Sequence, residues 1–288
     1  MPAEKIRIYN DVEFLTTLRP FRNYINRESL KKTADYIQLE FEKAGYKTEE
    51  QIWNAEGFEY SNIIASYNAD KSSRLIVGAH YDVCGDTPGA DDNASAVAGL
   101  LESARIIAEL KPEIDYRIDF VAYCLEEPPF FATENMGSYI HAKSLFDQNI
   151  DVLGMICFEM IGYFSDEPGS QTYPSPEMAE IYPDTADFIV VVGVEKYKEF
   201  NQHIYELMAS ANTIKTEVVN FPSPMGAAGL SDQRNYWAFN YPAAMINDTS
   251  FIRNPHYHKL SDSIETLDFD KLTAVVSAAY QAISRFKN

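Results

Sequence analysis

One apolar run and the polar residues that follow it constrain the fold of this chain more than any other feature. Residues 75–79, Leu-Ile-Val-Gly-Ala, have the length and composition of a buried β-strand that ends at the glycine and alanine. His80 and Asp82 come directly after this strand, and the run 91–93 and a predicted helix over 94–110 follow them. In α/β sheets, functional groups lie at the carboxyl ends of strands. The stretch therefore predicts an α/β fold with an imidazole and several carboxylates beside one strand end.

The run Asp91-Asp92-Asn93 has two interpretations. Oxygen ligands combined with an imidazole suit a zinc-like divalent ion. The same residue types directly before a helix also suit N-terminal capping, because their side chains accept hydrogen bonds from the first free backbone N–H groups. This stretch alone leaves both interpretations open, so the choice depends on the remaining strands.

Size and composition favour one α/β domain over residues 1–288. The chain has 288 residues and 46% hydrophobic residues, enough for a large core. No apolar run approaches the roughly 20 residues needed to span a bilayer. The N-terminal segment is charged and lacks the apolar region of a signal peptide, so we expect a cytoplasmic protein.

The net charge limits the possible binding partners, and the cysteine content limits the possible disulfide bonds. With 24 basic and 43 acidic residues, the formal charge of −19 argues against nucleic acid and anionic membranes. Cys84, Cys124 and Cys157 cannot all pair and form no Cys-x-x-Cys motif, so a disulfide scaffold is not expected. Although all three lie near candidate site residues, we interpret them as small residues buried at strand ends, since free cysteines are usually buried.

Further predicted strands also end in polar residues. The strand over 116–125 runs into Glu126-Glu127, and adjacent side chains on an extended chain point opposite ways, so one of the pair can bind a metal while the other faces water or substrate. The strand over 154–159 ends in Glu159, and the strand over 243–246 precedes His256 and His258. Several strands ending in such residues are difficult to attribute to chance.

Three other features have simpler interpretations. His141 lies in a predicted helix over 136–145, and we expect it at the surface of that helix. His203 lies in a predicted helix over 197–212, and we expect it at the surface or already hydrogen-bonded. The irregular segment 165–184 is rich in Pro, Ser and acidic residues, and long loops in a domain are usually functional. We predict that this segment forms a rim over the site.

Five motifs together resemble the co-catalytic di-zinc exopeptidases, the family of bacterial leucyl aminopeptidases and glutaminyl-cyclase-like enzymes. They are G-A-H-Y-D at 78–82, G-A-D-D-N-A-S at 89–95, E-E-P at 126–128, F-E-M-I-G-Y at 158–163 and N-P-H-Y-H-x-x-x-D at 254–262. The resemblance runs from about residue 75 to 267. It implies a three-layer α/β/α domain with a mixed, mostly parallel central sheet.

The resemblance also implies a ligand set for two zinc ions, with one ion as the alternative. It gives His80 to one metal, Asp92 to both, Glu127 to the second metal and Glu159 to the fourth-position carboxylate, and His258 completes the set. Glu126 matches the general base, and Tyr257 matches a tyrosine that steadies the oxyanion. We interpret Asp82 and Asp262 as carboxylates that orient His80 and His258, because a ligating imidazole usually donates its other N–H to such a group.

Three points separate this chain from a simple match. His256 and His258 share a face of an extended chain, so the choice of His258 depends on the resemblance, with His256 as the alternative. The family commonly has Asp where Glu159 stands, and the longer side chain predicts a first metal bound differently or more weakly. The segment Ser231-Asp232-Gln233 also lacks an expected third-position His, which concerns the substrate pocket.

The predicted activity is that of a zinc aminopeptidase acting through a di-zinc-bound hydroxide with Glu126 as general base. The acid-rich cluster would attract the free α-ammonium of a peptide, whereas a C-terminal carboxylate would need an Arg or Lys. Of the nearby candidates Arg234 and Arg253, we expect the second to pair structurally with an acid. One alternative is a single-zinc, glutaminyl-cyclase-like acyltransferase. Another is a non-catalytic binding protein on the same fold, which the complete ligand set and Glu126 argue against.

Overall fold

Eight strands form a mixed sheet in the computed structural model, which describes residues 3–287. The strands are β1 (Thr48–Ala55), β2 (Phe58–Tyr67), β3 (Arg74–His80), β4 (Arg117–Tyr123), β5 (Val152–Glu159), β6 (Phe188–Val194), β7 (Lys215–Phe221) and β8 (Ala243–Asn247). Their order across the sheet is β1-β2-β4-β3-β5-β8-β6-β7. The neighbours β4, β3, β5 and β8 are parallel to one another, whereas the pairs β1–β2, β2–β4 and β6–β8 are antiparallel.

The parallel strands explain where the site lies. Side chains of β3, β4 and β5 are almost entirely buried, which accounts for their continuous apolar runs in the sequence. Because these strands are parallel, their carboxyl ends meet at the same edge of the sheet. His80 ends β3, the Glu126-Glu127 pair follows β4, and Glu159 ends β5. Four polar residues from three strands are thereby brought to one edge.

Helices cover both faces of the sheet. They are α1 (Lys5–Thr17), α2 (Arg27–Lys43), α3 (Ala96–Leu110), α4 (Gly137–Asp147), α5 (Pro176–Ile181), α6 (Lys198–Ser210), α7 (Gln233–Ala238) and α8 (Phe269–Arg285). Apolar residues of α1, α2, α3, α6 and α8 form a core with one face, and those of α4 and α7 pack on the other. This arrangement confirms the predicted α/β fold with helices flanking a mixed sheet. Within the described residues, no helix is long and apolar enough to cross a membrane.

Helix α1 was not predicted from the sequence. Its buried face contains Ile8, Val12 and Leu15 at helical spacing, but Asp11 lies among them and is also buried. Arg105 of α3 neutralises that carboxylate through hydrogen bonds of 2.6 and 3.0 Å. The charged Asp11 therefore interrupts the apolar pattern by which the helix would be recognised in the sequence.

His141 is buried rather than lying at the surface, so its predicted surface position was wrong. Its Nδ1 lies 2.6 Å from the hydroxyl of Tyr236, which lies 2.7 Å from the hydroxyl of Tyr123. Burial lowers the pKa of His141 to about 4, because the imidazolium would lose its hydration inside the core. His203 is hydrogen-bonded, as expected, and its Nε2 lies 2.6 Å from the backbone oxygen of Phe286.

The buried imidazole predicts acid sensitivity. Its pKa rises from about 4 in the native state to roughly 6.5 in the unfolded state. Between these values the unfolded state binds the extra proton, so stability is complete above pH 6.5 and is lost as pH falls towards 4. We expect this residue to lower the free energy of unfolding by roughly 2 kcal/mol between pH 7 and pH 5. Urea unfolding of zinc-loaded native and His141→Gln proteins measures it, and equal pH dependence in both would contradict the assignment.

Candidate metal centre

Asp92 lies between two imidazoles at the carboxyl edge of the parallel strands. Its Oδ1 lies 3.4 Å from His80 Nε2, and its Oδ2 lies 3.0 Å from His258 Nε2. Asp92 belongs to an irregular turn, Ala90–Ser95, whose backbone departs from helical geometry at Asp92 and Asn93 and whose Asp92–Asn93 peptide bond is cis. The side chain therefore reaches the cluster from between β3 and α3, with one oxygen directed at each histidine.

Each of the two histidines has a second carboxylate beside it. Glu159 Oε2 lies 3.3 Å from His80 Nε2, and Glu127 Oε2 lies 3.4 Å from His258 Nε2. The cluster thus consists of two imidazole–carboxylate groups that share Asp92. We call His80, Asp92 and Glu159 the first group, and His258, Asp92 and Glu127 the second group.

The electrostatics of the cluster favour added positive charge. Burial raises the pKa of Glu126 well above its usual value and that of Glu127 to about 7. Burial opposes protonation of His258, but the adjacent Asp92 and Glu127 outweigh it and raise its pKa to about 10. Buried acids and histidines therefore retain protons in the absence of a cation. A divalent cation would take the place of these protons.

One atom in the cluster fits a metal directly. Glu127 Oε1 is buried and has no hydrogen-bond partner among residues 3–287. Buried polar atoms are seldom left unpaired. The donor set of imidazole nitrogens and carboxylate oxygens is also the set that zinc binds. The residues present therefore fit divalent zinc.

Asp82 connects His80 to the loop that carries Glu126 and Glu127. Its Oδ1 lies 3.4 Å from His80 Nδ1, close but without the alignment of a hydrogen bond. Its two oxygens also accept hydrogen bonds of 3.1 Å from the backbone N–H groups of Glu126 and Glu127. One carboxylate thus holds the loop that carries the glutamate pair beside the ring of His80.

Asp262 has a different position from the one predicted. It accepts hydrogen bonds from the backbone N–H groups of Asp91 at 2.9 Å and Asp92 at 3.2 Å. Among residues 3–287, it makes no hydrogen bond to the ring of His258. Asp262 therefore supports the turn that carries the shared carboxylate, and it does so through the backbone rather than through an imidazole.

The structure shows which residue of Asp91 and Asp92, and which of His256 and His258, faces the cluster. His256 directs Nδ1 to the hydroxyl of Ser261 at 3.0 Å, whereas His258 joins Asp92 and Glu127. Asp91 accepts hydrogen bonds from the backbone N–H of Gly162 at 2.9 Å and from the side chain of Asn254 at 2.7 Å. Asp91 and His256 are thus held by neighbouring loops, while Asp92 and His258 face the cluster.

Glu126 and Tyr257 border the cluster. Glu126 Oε2 lies 3.8 Å from His80 Nε2, the longest separation between this nitrogen and the carboxylates around it. The Tyr257 ring stacks on His258, with centroids 3.7 Å apart and planes inclined by 20°. Tyr257 also lines a neighbouring pocket. Both residues are therefore close enough to contact a substrate held at the cluster.

Glu159 is supported by residues that the sequence did not single out as partners. It accepts a hydrogen bond of 2.6 Å from the Ser231 hydroxyl and one of 3.3 Å from the Asn93 side chain. Asp232 is fully buried nearby, and burial raises its pKa to about 7. The segment 231–233 was expected only to affect the substrate pocket. Its serine instead holds a candidate metal ligand.

Arg22 was missed entirely. Its side chain is fully buried and donates hydrogen bonds of 2.6–3.0 Å to four backbone carbonyls. Two of these carbonyls, those of Pro88 and Gly89, belong to the segment leading into the turn that carries Asp92. Burial lowers the pKa of Arg22 to about 10, and the charges of the acidic cluster oppose that shift. No local sequence pattern marks Arg22, since three of its four partners are carbonyls 59 to 67 residues further along the chain.

A mainly apolar pocket opens beside the cluster. Glu159 and Tyr257 are shared between the pocket and the cluster, and the segment 165–184 supplies Gln171, Tyr173, Met178 and Tyr182 to its wall. The remaining lining residues are Phe188, Val190, Val192, Val219, Phe221, Ala227, Leu230, Met245, Asn247, Thr249, Ser250, Phe251 and Ile252. The segment 165–184 therefore lies as a rim beside the site.

Comparisons with known proteins agree with this arrangement. The protein is 40% identical over 285 residues to the uncharacterized protein YfbL of Escherichia coli, covering 95% of this chain and 86% of YfbL. It is 23% identical over 284 residues to leucine aminopeptidase 1 of Blastomyces gilchristii, covering 91% and 67% of the two chains. The crystal structure of the Legionella pneumophila LapA aminopeptidase superposes with a TM-score of 0.79 at 20% identity, covering 99% of this chain and 73% of LapA.

The fold, the cluster and these relatives define a zinc-dependent metallo-exopeptidase of the aminopeptidase type. The model of peptidase family M28 matches residues 62–283, which is more than half of the chain. The chain therefore belongs to peptidase family M28. This membership confirms the predicted family, enzyme class and zinc dependence.

Proposed function

We propose that the chain is one exopeptidase domain that removes N-terminal residues from peptides, with two metal sites that share Asp92. The observation that carries the proposal is the position of Asp92, whose two oxygens face two different imidazole–carboxylate groups. A carboxylate shared in this way is what a two-metal site requires. His80 and Glu159 would hold the first ion, and His258 and Glu127 the second. Bound zinc would act as a Lewis acid on the scissile carbonyl and would lower the pKa of water.

Glu126 supplies the general base in this proposal. It accepts the proton of the attacking water and passes it to the departing amine as the peptide bond breaks. Burial raises its pKa well above the usual value, which suits a group that must hold a proton between two steps. Asp82 fixes the backbone of the glutamate pair, because it accepts hydrogen bonds from the N–H groups of Glu126 and Glu127. Tyr257 is the hydrogen-bond donor for the developing oxyanion.

The charges around the cluster favour the amino end of a peptide. The carboxylates attract an α-ammonium group, and the two nearby arginines each donate hydrogen bonds to neighbouring protein groups. Arg253 donates to the Gln171 side chain at 2.8 Å and to backbone carbonyls, so its predicted pairing with an acid was wrong and its role is structural. Arg234 lies over the Phe131 ring and donates to the backbone oxygen of Gly229 at 3.1 Å. The four carboxylates of Asp92, Glu126, Glu127 and Glu159 therefore outnumber these two arginines and favour an ammonium group over a substrate carboxylate.

The apolar pocket indicates which side chain the enzyme prefers on the first residue of its substrate. Its wall includes Val190, Val192, Val219, Phe221 and Met245, and it begins at Glu159, a member of the first group. Burying an apolar side chain is favourable by about 1.5–3 kcal/mol, whereas an unpaired charge in the same place is strongly unfavourable. The proposed substrates are therefore peptides whose first residue is apolar.

A panel of aminoacyl chromogenic substrates tests the proposal. With zinc-loaded protein, we expect kcat/KM for leucyl and phenylalanyl substrates to exceed that for aspartyl and lysyl substrates by about tenfold or more. N-acetyl-leucyl substrate should give no turnover, because acetylation removes the α-ammonium charge. Comparable cleavage of the acetylated and free-amine forms would contradict aminopeptidase action.

The same samples separate the alternatives. Elemental analysis should find two zinc ions per chain. One ion, with cyclisation of an N-terminal glutamine and no hydrolysis, would favour a glutaminyl-cyclase-like acyltransferase. Bound peptide without turnover would favour a non-catalytic binding protein.

A further inference from the structure

Cys84 differs from the other two cysteines of the chain. All three are free thiols, but Cys124 and Cys157 are buried in the core, whereas Cys84 is partly exposed. Cys84 lies four residues after His80, in the loop that also carries Asp82. Its Sγ, a carboxylate oxygen of Glu127 and a ring nitrogen of His258 all lie within 4.8 Å of one another. The expectation that all three cysteines fill space at strand ends therefore does not describe Cys84.

The distances suit a single ion. Around one tetrahedral zinc ion, a sulfur at about 2.3 Å and an oxygen or nitrogen at about 2.1 Å lie about 3.6 Å apart. Because the three atoms lie within 4.8 Å of one another, the sulfur needs to approach the other two by at most about 1.2 Å for all three to meet at one ion. Thiolate and imidazole together form a common zinc donor set.

A second observation points to a missing ligand at the same place. Glu127 is only 4% exposed, yet its Oε1 has no hydrogen-bond partner in the described part of the chain. Its Oε2 already faces His258 at 3.4 Å. A buried carboxylate oxygen without a partner is costly unless a cation binds it. The thiol of Cys84, the carboxylate of Glu127 and the imidazole of His258 thus surround one position.

We propose that Cys84 is a direct ligand of the second metal, together with Asp92, Glu127 and His258. The proposal rests on the two-metal site of the proposed function and adds a ligand that the family resemblance does not supply. On binding, the S–H bond breaks, the sulfur–metal bond forms, and the proton passes to solvent. The second site then has four protein ligands, whereas the first group has three and keeps a position open beside Glu126. The two ions would thereby have different tasks, the second anchored and the first accessible.

Cobalt(II) tests the thiolate directly, because sulfur ligation produces a near-ultraviolet charge-transfer band that oxygen and nitrogen ligands do not produce. We expect this band in protein loaded with two cobalt ions. It should be lost in Cys84→Ser and Cys84→Ala and kept in the control Cys157→Ala. Cobalt content is measured in each sample. A fully loaded native protein without the band, or a band that persists in Cys84→Ala, would overturn the proposal.

Alkylation gives a second readout that needs neither cobalt nor activity. The partly exposed Cys84 should react with iodoacetamide at least tenfold more slowly in zinc-loaded than in metal-free protein, while Cys124 and Cys157 stay unreactive in both. Equal rates would exclude ligation. A protein that binds two ions and hydrolyses peptides but fails both tests refutes only the Cys84 assignment, whereas a protein that binds no metal refutes the proposed function as well.

Discussion

Replacing Glu126 with Gln should lower kcat by about 100- to 10,000-fold while leaving the zinc content unchanged. The amide preserves the volume of the side chain but cannot accept a proton from water. Glu126 also lies farther from Nε2 of His80, at 3.8 Å, than Glu159 does, at 3.3 Å. The substitution therefore removes a base without removing a metal ligand. Steady-state kinetics on a leucyl substrate and elemental analysis of the same samples measure the two effects.

Glu134→Gln is the matched control for this variant. Glu134 is exposed and follows the catalytic pair by a few residues, so the same chemical change there should alter neither kcat nor metal content. If Glu126→Gln retained nearly native kcat, Glu126 would not be the base. If it instead lost a zinc ion, the roles of Glu126 and Glu127 would have to be exchanged.

Replacing Asp92 with Ala should remove zinc from both sites and reduce hydrolysis to background. The two oxygens of this residue face His80 at 3.4 Å and His258 at 3.0 Å, so the substitution takes one ligand from each group at once. It also leaves the cluster without the shared negative charge that offsets two dications. Metal content after dialysis, measured together with activity, gives the result. Retention of one full equivalent of zinc would show that Asp92 is not shared.

Two histidine variants provide a comparison for the metal content of the Asp92 variant. His258→Ala should lose the second ion and keep the first, since His80 and Glu159 remain in place. His256→Ala should keep both, because the ring of His256 binds the hydroxyl of Ser261 instead of a carboxylate of the cluster. A fully metallated His258→Ala protein would transfer the ligand role to His256.

The sequence was sufficient to predict the sheet and the edge at which the site lies. Runs such as 75–79 and 154–158 are continuously apolar because both faces of a central parallel strand are covered. Parallel strands bring their carboxyl ends together, so the positions of His80, Glu126 and Glu159 relative to the sheet follow from the strand pattern alone. The choice of particular ligands depended on the family resemblance, which matched motifs rather than side-chain directions.

Side-chain directions at the site were decided by the tertiary structure, because the site lies on turns. Leu125, Met160 and His258 all have positive φ, of 64°, 46° and 54°, so the alternation of an extended strand does not continue into the loops. Which of Asp91 and Asp92, or of His256 and His258, faces the cluster cannot be read from spacing once that alternation is broken. The support of the Asp92 turn by Arg22 and Asp262, and the approach of Cys84 to Glu127, also arise only when segments far apart in sequence pack together. The sequence thus determined which strands deliver polar residues to one edge, and tertiary packing determined which of those residues meet.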